Sequence, residues 1–231
     1  MAIICKKHKL LYLLNPRTGG SAVAEHLVKY FEGEWLPSKD VLDENGNILL
    51  QSKHQPLESL IKFGFIDEKE VAEYVVFTNV RNPSESLISL YEKYKGRYAK
   101  WRDEGNFWVL HSGPKILAEI DYCLNHSFTE WVISRYWKSA ILSMFNLRQF
   151  SVYETYTNRC NYILKKETLS ADFKDMLEKC NIDGNGNIEV YNETETKKAN
   201  SNTRYNLLTK LIICTTYKSD FRKYGYRFKN R

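Results

Sequence analysis

A three-layer α/β fold, in which a short parallel sheet is flanked by helices, is what this sequence predicts, and three observations carry the prediction. Two apolar runs of strand length, KLLYLL from Lys9 and the segment Tyr74–Val80 within EVAEYVVFTNV, each lead through a turn into residues at helical spacing. A third short run, NYILKK, precedes another helical pattern. Strands that alternate with helices pair in parallel through crossover connections, and ligands then gather at the carboxyl ends of the strands. No internal repeat and no Pro/Gly/Ser-rich linker interrupts the 231 residues, so residues 1–231 are expected to form a single domain.

Each element has its own warrant. NPRTGGS follows the first strand and opens SAVAEHLVKYF, where Val23, Leu27, Val28 and Phe31 recur on one helical face. DENGN is a turn signal between Val41-Leu42 and Ile48-Leu49 and predicts a small hairpin or excursion loop. LESLIKFG reads as a short helix. RNPSESLISLYEKYK reads as a longer one, with Pro83 at the first helical position and Leu87, Ile88, Tyr91 and Tyr94 behind it. The stretch 95–113 mixes charge, aromatics and glycine without a clean period, which predicts a long loop or irregular helix acting as a lid. Helical patterns resume in PKILAEIDYCL and SFTEWVISRYW, in ETLSADFKDMLEKC with Phe173, Leu177 and Cys180 on one face, and over Tyr205–Tyr224.

Composition narrows the function classes. An apolar content of 43% with only 5 Pro and 11 Gly excludes collagen-like and disordered chains. No apolar run approaches the roughly 18 residues needed to span a bilayer, and basic residues break the N-terminal stretch, so a cytoplasmic protein with no membrane partner is expected. Five cysteines without a CxxC pair suggest neither a disulfide framework nor a zinc ribbon. No His, Cys or carboxylate cluster has metal-ligand spacing, and DGNGN has Ile188 and Thr194 where a calcium loop needs Gly and Glu, so no metal is expected. A net charge of +6 favours anionic ligands but is modest for a nucleic-acid binder, and no nucleic-acid partner is expected.

The chemistry concentrates at the first strand-to-helix junction. Backbone N–H groups converging at a helix N-terminus bind phosphate or sulfate. Arg17, Thr18, Gly19, Gly20 and Ser21 suit that chemistry, since the glycines allow close approach, Thr18 and Ser21 offer hydroxyls, and Arg17 brings a fixed positive charge. The Walker pattern GxxxxGK[ST] is absent, which argues against an ATPase, kinase or GTPase.

NPRTGGS resembles the PKTGGTS loop of the sulfotransferase superfamily, and VFTNVRNPSESLISLY resembles its second signature. KKETLSADF is similar to the family's E-x-L-x-x-DF segment, and DFRKYGYRF to its closing D-x-x-x-[FY]-GY-x-F. The closest pattern is that of the carbohydrate-type members. Arg17 stands where the family usually has Lys, and Ser86 where many members have Arg.

The resemblance implies a P-loop NTPase-like fold and 3′-phosphoadenosine 5′-phosphosulfate (PAPS) as co-substrate. Its 5′-phosphosulfate would be held by the first loop and its 3′-phosphate by Arg81 and Ser89. KKANSN resembles the late family loop that folds over the cofactor phosphates, with Asn200, Ser201 and Arg204 as donors. His54, in QSKHQPLESL, matches the segment from which the family takes its base, and an imidazole suits removal of a hydroxyl proton near neutral pH. His111 is the reserve candidate.

The segment the motifs leave unconstrained carries Trp101, Trp108 and His111, which are expected to bind the acceptor, a glycan or a hydroxylated small metabolite. Two other readings stay open on the sequence: an ATP-dependent phosphoryl transferase, and a non-catalytic RNA- or glycan-binding protein.

Overall fold

The computed structural model describes residues 2–46, 48–111, 113–189 and 204–230. The chain falls into two compact units, Met1–Arg81 with Tyr153–Thr194, and Asn82–Val152 with Glu195–Arg231. In chain order, the first unit begins with β1 (Ala2–Cys5), β2 (Leu10–Leu13), α1 (Gly20–Tyr30), β3 (Glu34–Leu36), β4 (Val41–Leu42) and β5 (Ile48–Leu50). It continues with α2 (Leu57–Lys62), α3 (Glu68–Ala72) and β6 (Val75–Val80). The second unit follows with α4 (Pro83–Lys93), a π-helical turn (Tyr94–Tyr98), α5 (Ala99–Asp103), α6 (Phe107–His111), α7 (Pro114–Asn125) and α8 (Phe128–Met144). The chain then returns to the first unit for α9 (Glu154–Thr157), β7 (Tyr162–Lys165), a 3₁₀ turn (Lys166–Thr168) and α10 (Leu169–Lys179). It ends in the second with α11 (Leu207–Thr216) and α12 (Lys218–Lys223).

In the first unit one sheet has the order β3-β1-β2-β6-β7. β2, β6 and β7 run parallel, as expected, with Leu13 opposite Thr78 and Val80 opposite Lys165. The sheet is not all parallel, however, because β1 pairs antiparallel with both β2 and β3. Sequence pattern alone does not predict these two strands, because the basic residues after Cys5 look like a break in the apolar stretch. They form a tight connection instead, with Lys9 at φ 50, and Lys6, Lys7 and Lys9 point outward to Glu34, Glu32 and Glu73. Ion pairs this exposed add little stability. The DENGN turn does join a small hairpin, β4 with β5.

The uninterrupted apolar strands are explained by burial on both faces. Ile3, Cys5, Leu10, Tyr12, Phe77 and Leu164 pack with Val23 and Leu27 of α1 and with Phe173 and Leu177 of α10. Their alternates Ala2, Ile4, Leu11, Leu13 and Val76 pack on the opposite face against Leu57 and Leu60 of α2 and Val71 of α3. That is the three-layer α/β arrangement, and it brings the carboxyl ends of β2, β6 and β7 side by side.

The second unit is helical. Asn82 caps α4 by accepting from the Ser84 N–H, with Pro83 in the first turn, and α8 opens with a capping box between Ser127 and Glu130. Leu87, Ile88 and Tyr91 form a core with Phe128 and Trp131 of α8 and with Ile212 and Ile213 of α11. Residues 94–111 form the irregular helix rather than the long loop: the π-helical turn, α5 and α6 follow in succession, broken by Gly105 at φ 72. The expected final helix is two, meeting at Tyr217. No helix among the described residues is long and apolar enough to cross a membrane.

Candidate functional site

The loop between β2 and α1 is held by a closed set of buried hydrogen bonds. Asn15 and Asn79 are buried and Thr18 is wholly so. Asn15 Nδ2 donates to the Asn79 carbonyl at 3.1 Å, and Thr18 Oγ1 donates to the Asn15 carbonyl at 2.8 Å. Asn79 Nδ2 donates back to the Thr18 carbonyl at 2.7 Å, while the Tyr12 hydroxyl donates to Asn79 Oδ1. One amide on β6 therefore uses both of its ends to tie strand β2 to the loop. The Thr18 hydroxyl hydrogen is directed into this network, so Thr18 acts on the loop's shape.

That network sustains an unusual backbone. Arg17 has φ 64 and Gly19 φ 85, with Thr18 between them outside the left-handed region. Left-handed positions next to a helix N-terminus suit loops whose backbone N–H groups bind anions. A non-glycine residue in this region costs on the order of 1–3 kcal/mol and persists where its surroundings over-determine it, typically at functional sites. At the next position a Cβ on Gly20 would lie 2.7 Å from the Tyr12 hydroxyl, which makes glycine obligatory there. Gly19 and Ser21 are exposed and Arg17 is half-buried, so the loop meets solvent at the N-terminus of α1.

His54 is anchored to the same corner. It too is left-handed, with φ 60, and its Nδ1 lies 3.0 Å from the carbonyl oxygen of Leu14, the residue after β2. A carbonyl oxygen only accepts, so Nδ1 carries the hydrogen and the neutral ring keeps its lone pair on Nε2. The Tyr156 hydroxyl donates to the His54 carbonyl at 2.5 Å and holds the backbone from the other side. Arg81 directly follows β6; it is 6% exposed, and its carbonyl accepts from the buried Tyr153 hydroxyl. Lys166 directly follows β7, and its side-chain carbons lie 3.4–3.5 Å from where a Cβ on Gly19 would stand.

The first unit thus brings together Arg17, Thr18, Gly19, Gly20, Ser21, His54 and Arg81. Ser89 lies half-buried on α4 of the second unit, and Asn200 and Ser201 fall outside the described residues. Trp101 and Trp108 are half-buried around Ala99, Val109 and Ile120, with the Tyr98 ring 5.8 and 5.1 Å from theirs, so they pin the small core of this segment. His111 is exposed and stacks on Phe107 at 4.0 Å. Tyr12, Asn15, Asn79, Tyr153, Tyr156 and Lys166 contribute as well and are not among the residues that sequence reasoning singles out. The one signal for Asn79 is a polar residue inside the apolar run VVFTNV.

His26, on α1, is a buried packing residue. Its Nε2 lies 2.6 Å from the Asn185 carbonyl oxygen, and the Phe173 ring meets it edge-on at 5.6 Å. The DGNGN segment is thereby a packing element, with Gly184 so close to the Phe31 ring that a Cβ would stand 2.5 Å from it. Burial lowers the His26 pKa below its ordinary 6.5, partly offset by the bond to Asn185. With the folded pKa depressed, the unfolded chain binds more protons, so the stability this site contributes is full above pH about 6.5 and is lost as pH falls through the folded pKa. Urea midpoints at pH 7.5 and 5.0 should therefore show a smaller acid loss in His26→Gln than in the parent; equal losses would assign the acid sensitivity elsewhere.

Cys5 and Cys123 are buried thiols whose pKa values burial pushes up to about 12, which makes them poor nucleophiles at neutral pH. Among the described residues no group of three or more His, Cys, Asp or Glu is placed to hold a metal ion. The donor set at the loop is cationic and amide-rich, as an anionic ligand requires.

Comparison with known proteins agrees with this geometry. A family model described as "Sulfotransferase family" matches residues 1–227. No curated protein and no solved structure matches the chain significantly. Since the match spans nearly the whole sequence, the chain belongs to the sulfotransferase family.

Proposed function

We propose that this sulfotransferase takes its sulfuryl group from PAPS and delivers it to a hydroxyl of a glycan or small metabolite. The observation that carries the reading is the convergence, in one unit, of the Arg17–Ser21 loop, His54 and Arg81 at the carboxyl ends of parallel strands. In this reading the loop N–H groups and Arg17 hold the phosphosulfate, and Arg81 and Ser89 hold the 3′-phosphate. Asn200 and Ser201 are retained as proposed donors on the resemblance alone.

His54 Nε2 takes the acceptor's proton as its oxygen attacks sulfur. The new O–S bond forms while the S–O bond to the 5′-phosphate breaks, and the electron pair passes to a phosphate oxygen whose charge meets Arg17 and the loop amides. Adenosine 3′,5′-bisphosphate is the other product. Trp101, Trp108 and His111 are proposed to border the acceptor, because aromatic faces suit sugar rings and flat metabolites.

Calorimetry tests the donor assignment. The protein should bind adenosine 3′,5′-bisphosphate more tightly than AMP, and Arg81→Ala should erase the preference. A charge-assisted phosphate contact is worth about 1.5–3 kcal/mol, so roughly ten- to a hundredfold in affinity is the expected scale. Equal affinity of the parent protein for the two nucleotides would overturn the assignment of Arg81 to the 3′-phosphate.

A further inference from the structure

We propose that Lys166 is a second cation of the anion loop, its ammonium meeting the 5′-phosphate end of the donor; the inference rests on the PAPS reading above. β7 ends at Lys165, opposite Val80 at the end of β6, and the chain then bends into the 3₁₀ turn. The bend is fixed by Asp172 of α10, whose Oδ2 accepts from the Lys165 N–H at 2.7 Å. From this bend the Lys166 side chain runs across the loop. A Cβ built on Gly19 would meet Lys166 Cγ and Cε at 3.4 Å and Cδ at 3.5 Å. Three successive carbons at contact distance mean that the stem lies along the open face of Gly19, with the ammonium one bond beyond Cε.

The chemistry gives such a cation a role beside that of Arg17. A guanidinium is planar and diffuse and suits recognition of paired oxygens in a fixed geometry, whereas an ammonium is a compact charge on a flexible stem. Charge collects on one phosphate oxygen as the S–O bond breaks, and a second cation already placed beside the loop stabilises that charge together with Arg17. Lys166 stays protonated throughout and contributes only its charge. The half-buried position of Lys166 and its loop-facing path fit a side chain that packs its methylenes along the loop. Glycine at position 19 serves the left-handed backbone, since a Cβ there would only touch this stem at ordinary contact distance.

The test compares Lys166→Met, which keeps the stem and removes the charge, with Lys166→Arg in the full chain, using two nucleotides that differ only at the 5′ end. Lys166→Met should bind adenosine 3′,5′-bisphosphate about tenfold more weakly, the scale of one charge-assisted contact, while its affinity for adenosine 3′-phosphate stays at the parent value. Lys166→Arg should recover most of the loss. In single-turnover assays with PAPS, Lys166→Met should be slowed by about 10²-fold. Equal weakening towards both nucleotides would show a merely structural role and overturn the proposal, as would parent-like binding and rate. Failure of the parent protein itself to bind the bisphosphate would instead bring down the donor reading, and Lys166 with it.

Discussion

Replacing His54 by alanine should lower sulfuryl transfer by about 10²- to 10⁴-fold while leaving bisphosphate affinity near the parent value, the range expected when a general base is removed. The geometry gives this expectation its form. With Nδ1 donating to the Leu14 carbonyl at 3.0 Å, the ring is held with Nε2 as its basic nitrogen, and the Tyr156 bond fixes the backbone behind it. Arg17→Ala should lose comparably in rate, but through the leaving group, and it should weaken nucleotide binding as well. Steady-state and calorimetric measurements on the two variants separate the roles: a rate loss without an affinity loss marks His54, and both together mark Arg17. Near-normal turnover in His54→Ala would move the base to His111 or to a carboxylate.

The second large effect is on stability. Asn79→Leu removes the amide that receives the Tyr12 hydroxyl and donates to the Thr18 carbonyl, and it leaves both groups buried. Each buried polar group left unsatisfied costs about 1–3 kcal/mol, so a loss of about 2–6 kcal/mol in urea unfolding is expected. The loop's left-handed turns lose their restraint at the same time, so bisphosphate binding should weaken even under conditions where the variant is fully folded. A variant with parent stability and parent affinity would show that the network does not hold the loop.

The parallel strands, the glycine loop and the helices behind them are legible in the sequence because apolar runs, turn residues and helical periodicity are local signals. The residue types at Arg17–Ser21, His54 and Arg81 point to anion chemistry for the same reason. Two features are hidden because they are not local. The antiparallel β1 and β3 depend on a tight connection through Lys6–Lys9 and on pairing between strands about thirty residues apart, Ile4 opposite Glu34. The Asn79 clamp joins residues more than sixty positions apart, from Tyr12, Asn15 and Thr18 to Asn79. The stretch 95–113 is obscured for a third reason: a π-helical turn shifts the apolar positions off the α-helical period, so Tyr98, Trp101, Trp108 and Val109 share one small core without looking periodic.

The central claim, that PAPS is the donor and the loop of the first unit is where it reacts, is tested most directly with sulfur-labelled PAPS in metal-free buffer. The parent protein and Arg17→Ala would be incubated with a panel of hydroxylated glycans and small metabolites. The parent should move label to at least one acceptor and release adenosine 3′,5′-bisphosphate in equal amount, and Arg17→Ala should lose both. Label transfer undiminished in Arg17→Ala, or no transfer by a parent protein that also fails to bind the bisphosphate, would contradict the claim.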